Sequence, residues 1–200
     1  IKTHFIKQIS ENELLITRVK IVLLEVIVRN ISAGSLCKRL GIKEGKVLKE
    51  PIVEFSYKND ALGDPLLTRA YIRHALELTD NKTLDAITNL SLKANEIFKE
   101  FFLKVGIKVV DFKLEFGTDK DGNLLLADEV GSSDAGRYAL LSTFDHRKSN
   151  KVDPEFYDKE FYSILIKKHG SVLPQEVKET IRRYQYVFER ITGQKIEHSG

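Results

Sequence analysis

A mixed α+β fold is predicted by three stretches of the chain. Ile107 to Val130, IKVVDFKLEFGTDKDGNLLLADEV, alternates apolar and polar residues, turns through Gly117 to Asn123 and returns, as a half-buried β-hairpin does. Lys20 to Asn30, KIVLLEVIVRN, is nearly all apolar, as in a strand covered on both faces. Leu84, Ile87, Leu90, Ala94, Ile97, Phe98, Phe101 and Val105 repeat at helical spacing, which predicts one long helix devoted to the core.

In chain order, Thr3 to Lys7, Glu13 to Val19 and Lys20 to Arg29 read as strands, with the polar turn Ser10-Glu11-Asn12 between the first two. Ile31 to Ser35 leads into a short helix, LCKRL, which Gly41 stops. After Pro51, IVEFSYK has strand character and runs into a turn marked by Gly63 and Asp64-Pro65. Thr68 to Leu78 is a short helix, and Asp80 caps the long one that Gly106 ends. Beyond the hairpin, Gly131 to Arg137 is a loop, and Tyr138 to Lys151 has no clear period. Asp153 as N-cap and Pro154 at the first position start a helix reaching about His169, and a last helix runs from Pro174 to Thr192.

Two hundred residues suffice for one large domain or two small lobes with an ample core. A single cysteine, Cys37, excludes an internal disulfide and a cysteine-based zinc site, and a reducing, cytosol-like compartment follows as the expectation. Net charge is +3 with signs interspersed, whereas nucleic-acid binding clusters Lys and Arg on one face, so anionic small molecules are the expected partners. No apolar run approaches the roughly 20 residues of a membrane span, the start is no signal peptide, and the five histidines lack metal-ligand spacing. The chain holds no methionine, which leads to two expectations: a segment precedes Ile1, and a modified residue has taken the place of methionine.

Four places carry groups suited to chemistry. On the first hairpin arm Val110, Phe112, Leu114 and Phe116 share one face and Asp111, Lys113 and Glu115 the other. If pairing parity puts Asp128 on that second face, two acids and a lysine converge as magnesium on nucleotide phosphates requires; a slip of one residue removes Asp128, and a solvated amphipathic hairpin is the plain alternative. Arg29, the Ser35 hydroxyl and the amides at the helix start could seat a phosphate, or Ser35 caps a helix while Arg29 pairs with a surface acid; local sequence favours the second. Lys58, Asn59, Asp60 and Asp64 offer a cation and acceptors on one loop, and Asp134 and Arg137 either hold a ligand or satisfy each other.

Taken together, EVIVRNISAGSLCKRLG (Glu25 to Gly41), EPIVEFSYKNDALGDP (Glu50 to Pro65) and VDFKLEFG with LADEV (Val110 to Gly117, Leu126 to Val130) resemble the SAICAR synthetase family. The likeness is strong from about Thr3 to Arg137 and weaker afterwards, although YDKEF and FERITGQ fit longer members. It implies a two-lobed α+β fold with a protein-kinase-like ATP cleft, residues 1–20 ending the small nucleotide-binding lobe and 21–200 forming the larger lobe. It implies a cytoplasmic ligase of purine biosynthesis that uses ATP and magnesium to join carboxyaminoimidazole ribonucleotide to L-aspartate through an acyl phosphate. By the same resemblance Glu115 and Asp128 hold metal and nucleotide, with Lys113 and Lys58 beside nucleotide and substrate. Lys113, Glu115 and Asp128 are the implied catalytic groups. Arg29, Ser35 and Arg137 hold the ribonucleotide phosphate, and Asp64 and Asp134 line the substrate site. The implied partners are these small molecules, without nucleic acid or membrane; a homo-oligomer is compatible with them.

The chain departs from the family pattern in three places. The family's lysine-containing phosphate loop is absent, Ser132-Ser133-Asp134 stands for the common Ser/Thr-Pro-Asp, and Ala139 stands where a tryptophan is usual. Two readings from other classes keep part of the same residue set. A kinase-like phosphotransferase needs Glu115 and Asp128 but not Arg29, Ser35 and Arg137 together, and a non-catalytic nucleotide-binding module fits the absent phosphate loop.

Overall fold

The computed structural model describes residues 1–144, 156–171 and 173–196. Strands β1 (Phe5–Ser10) and β2 (Glu13–Ile16) pair antiparallel as a sheet of their own. A six-stranded sheet is ordered β5-β4-β3-β6-β7, from β3 (Lys20–Ile31), β4 (Val47–Tyr57), β5 (Leu66–Leu67), β6 (Ile107–Thr118) and β7 (Leu124–Asp128), with β8 (Gly136–Leu140) also paired to β6. The helices are α1 (Gly34–Leu40), α2 (Asn81–Lys104), α3 (Lys159–His169) and α4 (Pro174–Thr192). Strands and helices are mixed and the β4–β5, β6–β7 and β6–β8 ladders are antiparallel, so the α+β expectation holds. Among the described residues no helix is long and apolar enough to cross a membrane.

The chain forms two compact units. The first comprises Ile1–Val28, Pro51–Glu96 and Lys113–Val130, and the second Arg29–Glu50, Ile97–Phe112 and the described residues of Gly131–Gly200. In the first, Leu24, Val26, Ile72, Leu84, Ile87 and Leu114 are fully buried, which brings the apolar half of α2 and the inner residues of β3 and β6 into one core. Asp80 caps α2 as expected, its Oδ1 accepting the Thr83 amide at 2.7 Å. The first strand starts later than its sequence suggests. Thr3 bridges Leu126 and the His4 amide donates to the Leu126 carbonyl at 2.9 Å, so the opening residues are occupied along β7 before β1 begins. The Thr68 to Leu78 segment is not an α-helix throughout but holds a π-helical turn, Tyr71–Ala75, that ends before Glu77 at φ 50°.

In the second unit Ile31, Ala33, Val110, Ala139, Phe144 and Phe156 form a buried cluster, with the small Ala139 inside it. Phe98 packs on Phe112 with ring centres 4.9 Å apart and Phe102 stacks on Tyr138 at 4.7 Å. Ile97 and Phe101, expected in the core stripe, are 49% and 44% exposed, because the steps of four from Ala94 through Phe98 to Phe102 carry the buried line past them. The patternless stretch from Tyr138 contains the end of β8 and a helical turn over 141–144. The proposed cap and first residue, Asp153 and Pro154, lie outside the described residues. Helix α3 starts at Lys159; before it Phe156 bridges Ala139 and the Tyr157 amide donates to the Tyr138 carbonyl at 2.9 Å, which ties residues 156–157 to β8. Helix α4 has the expected bounds, with proline at its start and Gly193 at φ 71° closing it.

Candidate functional site

Each unit gathers its own set of charged side chains. In the first, Thr118, Gly117 and Phe116 pair with Leu124, Leu125 and Leu126, a run that would set Glu115 opposite Ala127. The register shifts at that point, and Asp128 stands opposite Glu115 instead. Ala127 is thus the extra residue of a β-bulge, and the bulge puts both carboxylates on one face of the ladder. Glu115 is 2% exposed, while Asp128 is exposed and its Oδ1 accepts the Glu129 amide at 2.8 Å.

Two lysines meet acids in the same unit. Lys58 Nζ donates to Glu115 Oε1 at 2.5 Å, and Lys113 Nζ donates to Glu25 Oε1 at 2.5 Å with Glu129 at 3.6 Å. The bond to Glu115 is the main cause that raises the Lys58 pKa above its ordinary value. Burial alone would lower that of Lys113, yet the hydrogen bond to Glu25 and the charges of Glu25, Glu129 and Glu115 outweigh it and the net shift is upward. Both ammoniums therefore stay charged through the neutral range. Among the described residues no three His, Cys, Asp or Glu side chains gather as a metal cage. A cation on Glu115 and Asp128 would take its other ligands from phosphate and water, as magnesium does.

Asp64 closes its own loop. Its Oδ1 accepts the Asn59 amide at 2.9 Å, at φ 48°. Glu25 was not singled out by sequence reasoning. Its signal is that it is the lone charge in IVLLEVIV, and a carboxylate in such a strand needs a cationic partner.

In the second unit Arg29, 2% exposed, donates from Nη1 to Asp111 Oδ2 at 2.9 Å and from Nη2 to Ser35 Oγ at 3.0 Å. Arg137 Nη1 reaches both oxygens of the same carboxylate, at 3.0 and 2.9 Å. Arg29, Ser35 and Arg137 are therefore brought together, and the group that joins the two arginines is Asp111. Two local expectations change. The partner of Arg29 is a buried acid, not a surface one. Ser35 lies inside α1, whose N-cap is Ala33, and the Gly34 amide is already engaged with Glu44 Oε1 at 2.9 Å. Arg137 is bonded to Asp111, and Asp134 is exposed, its charge, after burial, helping to push Tyr184 up to about 12. Asp111 shares the polar face of β6 with Lys113 and Glu115 in the sequence pattern, which is the signal that marks it.

The chain was compared with known proteins. Residues 1–178 match the family model described as SAICAR synthetase. A phosphoribosylaminoimidazole-succinocarboxamide synthase of Nostoc punctiforme is 55% identical over 130 residues, 65% of this chain and 53% of the relative. One of an Exiguobacterium species is 47% identical over 173 residues, 86% of this chain and 70% of the relative. The chain thus spans between about half and seven tenths of the length of these two relatives. Among solved structures, a SAICAR synthetase in complex with ADP superposes with a TM-score of 0.80 at 39% identity, covering 99% of this chain and 75% of that one. With the family model spanning most of its residues, and relatives and a solved structure of the same name agreeing over its length, the chain belongs to the SAICAR synthetase family.

Proposed function

We propose that the protein carrying this chain is an ATP-dependent ligase of purine biosynthesis. It joins the carboxylate of carboxyaminoimidazole ribonucleotide to the amine of L-aspartate and yields SAICAR, ADP and phosphate. The observation that carries this reading beyond family membership is the bulge that sets Asp128 opposite Glu115. Two hard oxygen donors on one sheet face fit magnesium bound to nucleotide phosphates, and a relative of this chain was solved with ADP. Glu115 and Asp128 are the residues that would hold the ion, which when bound supplies neutralisation of phosphate charge.

A carboxylate is a poor acceptor for an amine until one oxygen becomes a leaving group, so the reaction passes through an acyl phosphate. The chain's own part is positioning and charge. Lys58 and Lys113, both held protonated by acids, supply fixed positive charge for the phosphates and the substrate carboxylate. Arg29, Ser35 and Arg137 seat the ribonucleotide phosphate, and Asp64 and Asp134 line the substrate site. Residues 1–20 end a nucleotide-binding lobe, a reading supported by the separate β1–β2 sheet. The proposed location is the cytoplasm, in keeping with the free Cys37.

A coupled assay on full-length protein tests the reaction. ADP release is expected to require both the imidazole carboxylate and aspartate. Release without aspartate would point to a phosphotransferase, and no turnover with all three substrates would point to a non-catalytic module.

A further inference from the structure

We propose that Asp111 is a positioning residue that, with the space left by Gly34, fixes the Arg137 guanidinium beside Arg29; this rests on the phosphate seat proposed above. Two independent observations carry it. First, one buried carboxylate accepts three bonds, one from Arg29 and two from Arg137. Two guanidiniums brought this close repel each other, and the shared acid offsets that repulsion while holding Nη1 of each arginine. Second, Gly34 stands at φ 54°, and a β-carbon built there would collide with the Arg137 guanidinium, within 2.9 Å of Cζ. The left-handed backbone and the missing side chain both serve the place that Arg137 fills.

The consequence concerns geometry and not charge alone. A phosphate is recognised by donors held at fixed angles, and an arginine free to swing offers the same charge with less of that orientation. Asp111 keeps Arg29 and Arg137 oriented before any ligand arrives. Its removal would loosen both arginines while leaving the β6–β7 carboxylates of the first unit in their own contacts.

Three variants of the full-length protein test this through the KM of each substrate. Asp111→Glu keeps the buried charge and lengthens the arm by one carbon, so both guanidiniums move. Asp111→Asn keeps the size and removes the charge. Gly34→Ala leaves Asp111 intact and puts a methyl where Arg137 lies. Each is expected to raise the KM of the imidazole ribonucleotide by about tenfold or more, with kcat and the KM of ATP changed by less than about threefold. A normal ribonucleotide KM in Asp111→Glu or Gly34→Ala, or an equal rise for every substrate, overturns the proposal. If neither Asp111 variant folds, Gly34→Ala decides alone. Arg137→Ala separates the two levels: if it leaves the ribonucleotide KM unchanged the phosphate seat itself is wrong, and if it raises that KM while the other variants do not, only the positioning role fails.

Discussion

Glu115 and Asp128 share a face because Ala127 is pushed out of the ladder, and this makes their chemistry testable without disturbing the core. Glu115→Gln keeps the volume and an oxygen that can accept from Lys58, and Asp128 is exposed. Both Glu115→Gln and Asp128→Asn are therefore expected to cut turnover by at least about a hundredfold with little change in melting temperature, measured by steady-state rates and thermal denaturation. Arg29→Ala differs, because its guanidinium is fully buried against Asp111. It should raise the ribonucleotide KM roughly tenfold to a hundredfold and also lower stability in a denaturant titration by about 3 kcal/mol. Unchanged stability would mean that Arg137 alone satisfies the carboxylate. At this scale Lys113 and Glu115 were legible as strand alternation. The partnership with Asp128 was not, because parity depends on a bulge that no composition rule announces. Glu25 and Asp111 escaped for another reason: their partners Lys113 and Arg29 lie 88 and 82 positions away along the chain.

Helix ends and tight strand contacts decide what each element tolerates. Gly117 has an ordinary backbone, yet a β-carbon there would meet Val19 Cγ2 at 2.8 Å and the Lys20 carbonyl at 3.0 Å. Gly117→Ala is expected to destabilise by about 1 to 3 kcal/mol through overpacking, read by chemical denaturation; a neutral result would show that Val19 moves aside. On α4, Glu179 accepts bonds from Arg182 and Arg183, and Arg183 donates on to the Phe156 carbonyl at 2.6 Å while stacking over Phe161. The bond from Arg182 is the largest cause that holds the Glu179 carboxyl at about 2 against an ordinary 4.5, opposed by burial and helped by Arg183. A folded pKa below the unfolded one gives stability that is full above about 4.5 and is lost as pH falls toward about 2. The gap in melting temperature between wild type and Glu179→Gln should accordingly close between pH 5 and pH 2. A constant gap would assign the effect to packing. The bounds of α2 and α4 were readable because Asp80, Gly106, Pro174 and Gly193 each act locally. The start of α3 was not, since the residues just before it pair with β8 and that partner lies far along the chain.

Across the whole molecule, apolar surface is distributed unevenly, and this has a dynamic consequence. The six-stranded sheet carries fully buried residues in β3 and β6, whereas β1 and β2 are exposed at every position, including Phe5, Ile6, Ile9, Leu14, Leu15 and Ile16 at 40% to 60%. An isolated two-stranded pair is marginal in water, because few buried contacts offset the entropy of ordering it. An apolar surface of this kind marks a place where other protein surface can pack. Sequence periodicity registered the strands but not this difference, since β1 and β2 are as rich in isoleucine and leucine as a core strand and only tertiary burial distinguishes them. Hydrogen exchange followed by mass spectrometry on the 200-residue chain should show amides of Phe5–Ser10 and Glu13–Ile16 at least about a hundredfold less protected than those of Leu24, Val26, Val110 and Leu114. Equal protection in dilute solution would mean that the apolar residues are covered, and its dependence on protein concentration would then identify the cover. Protection that grows with concentration points to a second copy of the chain, and protection that does not points to the chain's own residues.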